Sequence, residues 1–139
     1  MVKVARTFKF CASHRLTKHK GLCRNIHGHT YAVDLVIEDK INSHTGMVMD
    51  FAEMRILEEE VKHYFDHAIL LNKYDEELVK FCEEQDYRIV YLKDDPTAEL
   101  IAGSILETAR MIFPEVNSIF IRVHESEKTW AEVCYVKGE

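Results

Sequence analysis

Apolar and polar residues alternate from Val4 to His14, and Arg6, Phe8, Phe10, Ala12 and His14 share one parity, which predicts a β-strand carrying those side chains on one face. His27 and His29 begin a second alternation that Tyr31, Val33, Leu35 and Ile37 continue, predicting a strand from about His27 to Glu38. The period then changes. Asp39 to Gly46 reads as a loop, and Asp50 followed by Glu53 forms a capping-box-like start to a helix that ends near Phe65, with Met54, Leu57, Val61 and Tyr64 on its apolar face. A short helix from Asp75 to about Glu84 and a strand-like run from Arg88 to Leu92 follow. Asp95-Pro96-Thr97 opens a further helix, with Pro96 preorganised for the first turn and Ala98, Ile101, Ala102, Ile105, Ala109 and Ile112 facing a core. Pro114 stops it. Ile119, Ile121 and Val123 alternate with Phe120, Arg122 and His124, and Trp130 to Val136 supplies the hairpin partner across Ser126 to Thr129.

Two strands, helices with a minor strand, then two strands give an α+β fold: one domain spanning residues 1–139, an antiparallel sheet of ββααββ order with its helices on one face. The other face would gain from burial, so a homo-oligomer is expected.

The candidate chemistry lies where the first two strands meet. His14 closes one strand, and Cys23-Arg24-Asn25-Ile26-His27-Gly28-His29 opens the next. Side chains two apart on a strand point the same way, so His27 and His29 project to one face, and a neighbouring strand can bring His14 to them. Three neutral imidazoles suit Zn²⁺ and leave a fourth tetrahedral position for water or substrate. Two geometries stay open for Cys23. As a fourth ligand it would close a structural site; held near an open metal it would be a base or nucleophile.

Other carboxylates and imidazoles are weaker signals. Asp66-His67 follows the first long helix and could be a carboxylate-oriented imidazole, although neighbours on a strand would point apart. Glu125 shares the parity of Ile119, Ile121 and Val123, and a carboxylate on an apolar face needs a partner such as a ligand edge with two adjacent N–H donors. Thr97 and Glu99 stand at a helix start, where they would cap the helix or reach a ligand.

Charge and composition narrow the class. Seven basic residues (Lys3, Arg6, Lys9, Arg15, Lys18, Lys20 and Arg24) precede the first acid, Asp34, while the chain as a whole carries −6. That basic N-terminal segment would draw in a small polyanion, or else pair with the acidic remainder. Nucleic acid is disfavoured by the acidic balance and by the lack of aromatic residues interleaved with the basic ones. No segment approaches the ~20 apolar residues of a membrane span, and Met1-Val2-Lys3 leads straight into strand pattern. With no C-x-x-C pair and no disulfide density among its four cysteines, the chain is expected to be cytoplasmic.

Taken together the motifs resemble the 6-pyruvoyl-tetrahydropterin synthase / 6-carboxytetrahydropterin synthase family over nearly the whole chain. The residues that carry the resemblance are Phe8-x-Phe10-x-Ala12-x-His14-Arg15-Leu16, the Cys23 to His29 motif, Gly46-x-Val48-x-Asp50-Phe51, Phe65-Asp66-His67 with Leu71-Asn72, Pro96-Thr97-x-Glu99, and His124-Glu125-Ser126. Three residues between Cys23 and His27 look like the carboxy-forming branch that feeds queuosine and related deazapurine synthesis. The resemblance implies the tunnelling fold (T-fold), hexamers built from two trimers, and pockets between subunits. It also implies conversion of 7,8-dihydroneopterin triphosphate, with zinc on His14, His27 and His29. Cys23 would be the base, Asp66 and His67 a second proton-transfer pair, Glu125 the pterin anchor, and Thr97 and Glu99 would lie on the pterin side. His19 and its short basic loop match nothing in the family pattern.

Overall fold

The computed structural model describes residues 1–139. Strands β1 (Val2–His14) and β2 (His27–Asp39) form a long antiparallel hairpin. Helix α1 (Phe51–Phe65), strand β3 (Ala68–Asn72), helix α2 (Glu76–Glu84), strand β4 (Ile89–Leu92) and helix α3 (Ala98–Ile112) follow, and β5 (Ser118–His124) and β6 (Trp130–Val136) close the chain. The six strands lie in the order β4-β3-β1-β2-β5-β6.

The core forms on one face of the sheet. Phe8, Phe10 and Ala12 of β1, Tyr31 to Ile37 at alternate positions of β2, and Ile119, Ile121 and Val123 of β5 meet α1 and α3 in one apolar cluster. This parity is the one the sequence predicts. Asp50 caps α1 by accepting from the Ala52 N–H at 2.8 Å. Met54, Leu57 and Val61 are buried as expected, but the fourth buried residue is Phe65; Tyr64 points out, more than half exposed.

Three expectations need correction. The sheet is mixed: β3 was not foreseen, and it runs parallel both to β1 and to β4. Its sequence, Ala68-Ile69-Leu70-Leu71-Asn72, is apolar on both faces and shows no alternation, as a strand covered on both sides should. Helices also lie on both faces. Leu70 points toward α1 and α3, whereas Ile69 and Leu71 pack with Leu78 and Cys82 of α2 on the opposite side. Finally, Pro96 lies outside α3. Thr97, itself extended, is the N-cap, its hydroxyl accepting from the Leu100 N–H at 3.2 Å, and its own N–H donates to Asp95 O at 2.8 Å, so the chain turns at Pro96 before the first helical residue.

Candidate metal centre and catalytic site

The hairpin register sets the site. His14 is the direct cross-strand partner of His27, and His29 lies opposite Ala12, one position along the same face. The three rings stand with centroids 4.6, 5.0 and 5.1 Å apart, and their ligand nitrogens lie within 4.8 Å of one another. Beneath them Tyr31 is fully buried, stacked on Phe10 with its hydroxyl 3.3 Å from His14 Nδ1.

Backbone carbonyls fix the tautomers. A carbonyl oxygen only accepts, so His14 Nδ1–H donates to Pro96 O and His27 Nδ1–H to Asn25 O, both at 2.7 Å. Each neutral ring is left with a lone pair on Nε2, and those two atoms face each other at 3.1 Å. Two acceptors have no reason to approach unless a cation lies between them. His29 Nε2 is buried with no hydrogen-bond partner at all. Ligand nitrogens of a tetrahedral zinc site stand about 3.3 Å apart, so the donor set, its tautomers and its spacing fit a Zn²⁺ ion. Burial lowers the His14 and His29 pKa values, which favours the neutral, ligating form.

The Cys23 thiol is not part of this group of donors. It is half-buried in a single 3-10 turn, Leu22–Arg24, between the two strands. The turn is tied back by the Leu16 N–H, which donates to Cys23 O at 2.9 Å, and Asn25, which ends it, supplies the carbonyl that orients His27. Glu125, just past β5, is near enough for its charge to act on His14, His29 and Tyr31.

Asp66 and His67 do meet, contrary to the strand-neighbour argument. His67 has φ 61°, a left-handed turn that swings its ring back until Nδ1 stands 3.0 Å from Asp66 Oδ2. The pair is anchored on β1: the Cys11 N–H donates to Asp66 Oδ1 at 2.9 Å, and the His67 N–H donates to Cys11 O at 2.7 Å. The Cys11 amide, followed by the adjacent imidazole, holds the Asp66 carboxyl below its usual range. The His67 ring is 80% exposed and lines two surface cavities, one of them with Ile69, Leu78 and Cys82 and the other with Gly28 and Thr30.

The sequence model of the family described as 6-pyruvoyl tetrahydropterin synthase matches residues 3–135. The chain belongs to the 6-pyruvoyl tetrahydropterin synthase family. It is 36% identical over 130 residues to the 6-carboxy-5,6,7,8-tetrahydropterin synthase of Rickettsia bellii, covering 92% of this chain and 87% of that protein. The protein of the same name from Haemophilus influenzae is 29% identical over 140 residues, covering 95% and 98%. The solved 6-pyruvoyl tetrahydropterin synthase of Plasmodium falciparum has the same tunnelling fold, with a TM-score of 0.79 at 22% identity over 97% of this chain and 98% of that one.

In this synthase-family chain the remaining predicted residues fall in one place. Thr97 and Glu99 line a cavity of about 520 Å³ together with Leu16, Lys18, His19 and Asp95. The Thr97 hydroxyl already serves as the α3 cap. Four of the seven N-terminal basic residues pair within the chain: Lys3 with Glu38, Arg6 with Glu58, Arg15 with Asp75 and Lys18 with Asp94. Lys9, Lys20 and Arg24 are left as free cations. Asp95, which sequence reading passed over, fastens the loop after β1: its buried carboxylate accepts from the Thr17 hydroxyl at 2.7 Å, the Lys18 N–H at 3.0 Å and the Asn72 amide at 3.0 Å. Asp and Asn in loops carry no pattern that would reveal such a clamp, and the orienting carbonyls of Pro96 and Asn25 leave none either.

Proposed function

We propose that the protein is a zinc-dependent 6-carboxy-5,6,7,8-tetrahydropterin synthase, a lyase that converts 7,8-dihydroneopterin triphosphate to 6-carboxytetrahydropterin with release of acetaldehyde and triphosphate, in queuosine or related 7-deazapurine synthesis. The observation that carries the metal is the pair of Nε2 lone pairs facing each other beside an orphaned third. The names of the curated relatives carry the carboxy-forming product.

His14, His27 and His29 would hold the ion, which as a Lewis acid supplies stabilisation of alkoxide or enolate charge developing on the substrate side chain. Cys23 is the general base that takes protons from that side chain. It stands outside the ligand set, which favours this reading over a closed, structural Cys-His₃ site. Asp66 orients His67 by accepting from Nδ1–H, leaving Nε2 to receive and return a second proton. Glu125 binds the pyrimidine edge of the pterin, two N–H donors on one carboxylate, while Thr97 and Glu99 flank the pterin. We assign the complete site to a homo-oligomer, proposed as a hexamer of two trimers, in which the exposed His67 of one subunit serves the Cys23 of another. The basic N-terminal segment meets the triphosphate in this reading, and Lys9, Lys20 and Arg24 are its cations without an ion-pair partner in the chain.

The test is product identification. Zinc-loaded protein incubated anaerobically with 7,8-dihydroneopterin triphosphate should give 6-carboxytetrahydropterin and one equivalent of acetaldehyde by chromatography and mass spectrometry. Appearance of 6-pyruvoyltetrahydropterin would assign the other branch, and absence of turnover with zinc bound would overturn the reading.

A further inference from the structure

The loop that the family pattern leaves unexplained holds the turn on which Cys23 sits. His19 Nδ1 accepts from the Gly21 N–H at 2.8 Å, folding the imidazole back over the residue that caps the Leu22–Arg24 turn. Glycine leaves the ring this place: a Cβ at Gly21 would stand 2.9 Å from His19 Cε1 and 3.3 Å from Nδ1 and would push the exposed ring aside, while its φ of −104° is open to any residue. The bond runs from a side chain to the N–H two residues on, as in an Asx turn. The chain has three Asx turns of that span for comparison: the N–H groups of His44, Ala52 and Tyr74 donate to Asn42 Oδ1, Asp50 Oδ1 and Asn72 Oδ1 at 2.8, 2.8 and 2.9 Å.

Backbone bonds link Leu16, His19 and the turn, while the Thr17 hydroxyl and the Lys18 N–H donate instead to Asp95. The His19 N–H donates to Leu16 O at 3.1 Å, the Leu16 N–H to Cys23 O at 2.9 Å, and the Asn25 N–H to Leu22 O at 3.0 Å. Without the His19 bond, Gly21 itself keeps only the 3.4 Å contact from the Arg24 N–H to its carbonyl.

We propose that His19 is a positioning residue for Cys23, its acceptor on the Gly21 N–H fixing the turn that presents the thiol. The proposal rests on the reading of Cys23 as the base. His19→Ala should lower kcat about tenfold with KM within about twofold, since small misplacements of a reacting group are costly. Zinc content and Tm should not move, because the ring is exposed and belongs to no core. His19→Asn should restore kcat to within about twofold, because its Oδ1 can take the same N–H. Gly21→Ala, whose methyl displaces the ring, should match His19→Ala, and the double variant should be no worse than either.

Full turnover in His19→Ala, failure of His19→Asn to restore it, or multiplying losses in the double variant would each overturn the proposal. A ring that merely walled the neighbouring cavity would act on KM and would not be replaced by asparagine. A readout independent of turnover is alkylation of Cys23 by iodoacetamide, followed by peptide mapping to separate it from Cys11 and Cys134. Its rate should change at least about threefold in His19→Ala and return in His19→Asn; an unchanged rate overturns the positioning role. If Cys23→Ala itself retained turnover, the general-base reading would fail, and the alkylation rate would still decide whether His19 holds the turn.

Discussion

His14 on β1 donates its Nδ1–H to the carbonyl of Pro96, the residue before the cap of α3, at 2.7 Å. A candidate metal ligand at one end of the chain's first hairpin is thus oriented by a residue 82 positions away. Such a partner fixes ring orientation and tautomer together, and it does so before any ion arrives.

Metal removal should therefore cost stability without dismantling the fold. With free zinc at a hundredfold its Kd, binding adds about 2.7 kcal/mol, so chelation should lower Tm by roughly 10 °C in a domain of this size. Calorimetry with and without chelator checks it, and an unchanged Tm on adding one equivalent of zinc would count against the site.

Cys23→Ala should keep zinc and fold while turnover falls by about a hundredfold or more, the usual worth of a general base. Metal analysis beside steady-state kinetics separates the outcomes. Loss of zinc together with stability would show that the thiol is a ligand.

Glu125→Gln should weaken pterin binding about 10- to 100-fold, because a charge-assisted bidentate pair becomes a neutral one with a donor where an acceptor was. Zinc affinity should change far less. Titration calorimetry with 7,8-dihydroneopterin and with zinc tests both, and equal losses would remove the anchor role.

Asp95→Ala should destabilise the protein by about 3 kcal/mol near neutral pH, since three donors lose a buried charged acceptor. Burial by itself would raise the Asp95 carboxyl, but the bonds from Asn72, Thr17 and the Lys18 N–H, with the Lys18 charge, bring it below its usual value. A depressed folded pKa means the stabilisation is full above the ordinary carboxylate range and disappears as pH falls through the folded value. Urea unfolding of both proteins should show the gap narrowing in acid. A gap that stays constant with pH would mean the carboxylate's charge contributes nothing.

Legibility followed periodicity. β1, β2 and β5 each bury one face and β6 half-buries one, so the alternation of β1 and β2 places His14, His27 and His29 together from sequence alone. β3 hides because both of its faces are covered, and α2 was assigned the wrong side because nothing in its own stripe says which face of the sheet it will meet. The meeting of Asp66 with His67 depends on one left-handed residue that is not glycine, a conformation the residue type does not announce. Cys23 could be found but not assigned a geometry, since a turn of three residues permits either closure on the metal or separation from it.

β1 and β2 pair over thirteen consecutive positions, from Val2 opposite Asp39 to His14 opposite His27. Because side chains alternate between faces, a slip of one residue in that hairpin would carry His27 and His29 to the open side of the sheet and leave Gly28 facing His14. A misregistered chain would then have lost the proposed ion site along with its core. Ion capture would in this way proofread strand pairing, rewarding only the molecules in which the longest hairpin has closed in its native frame.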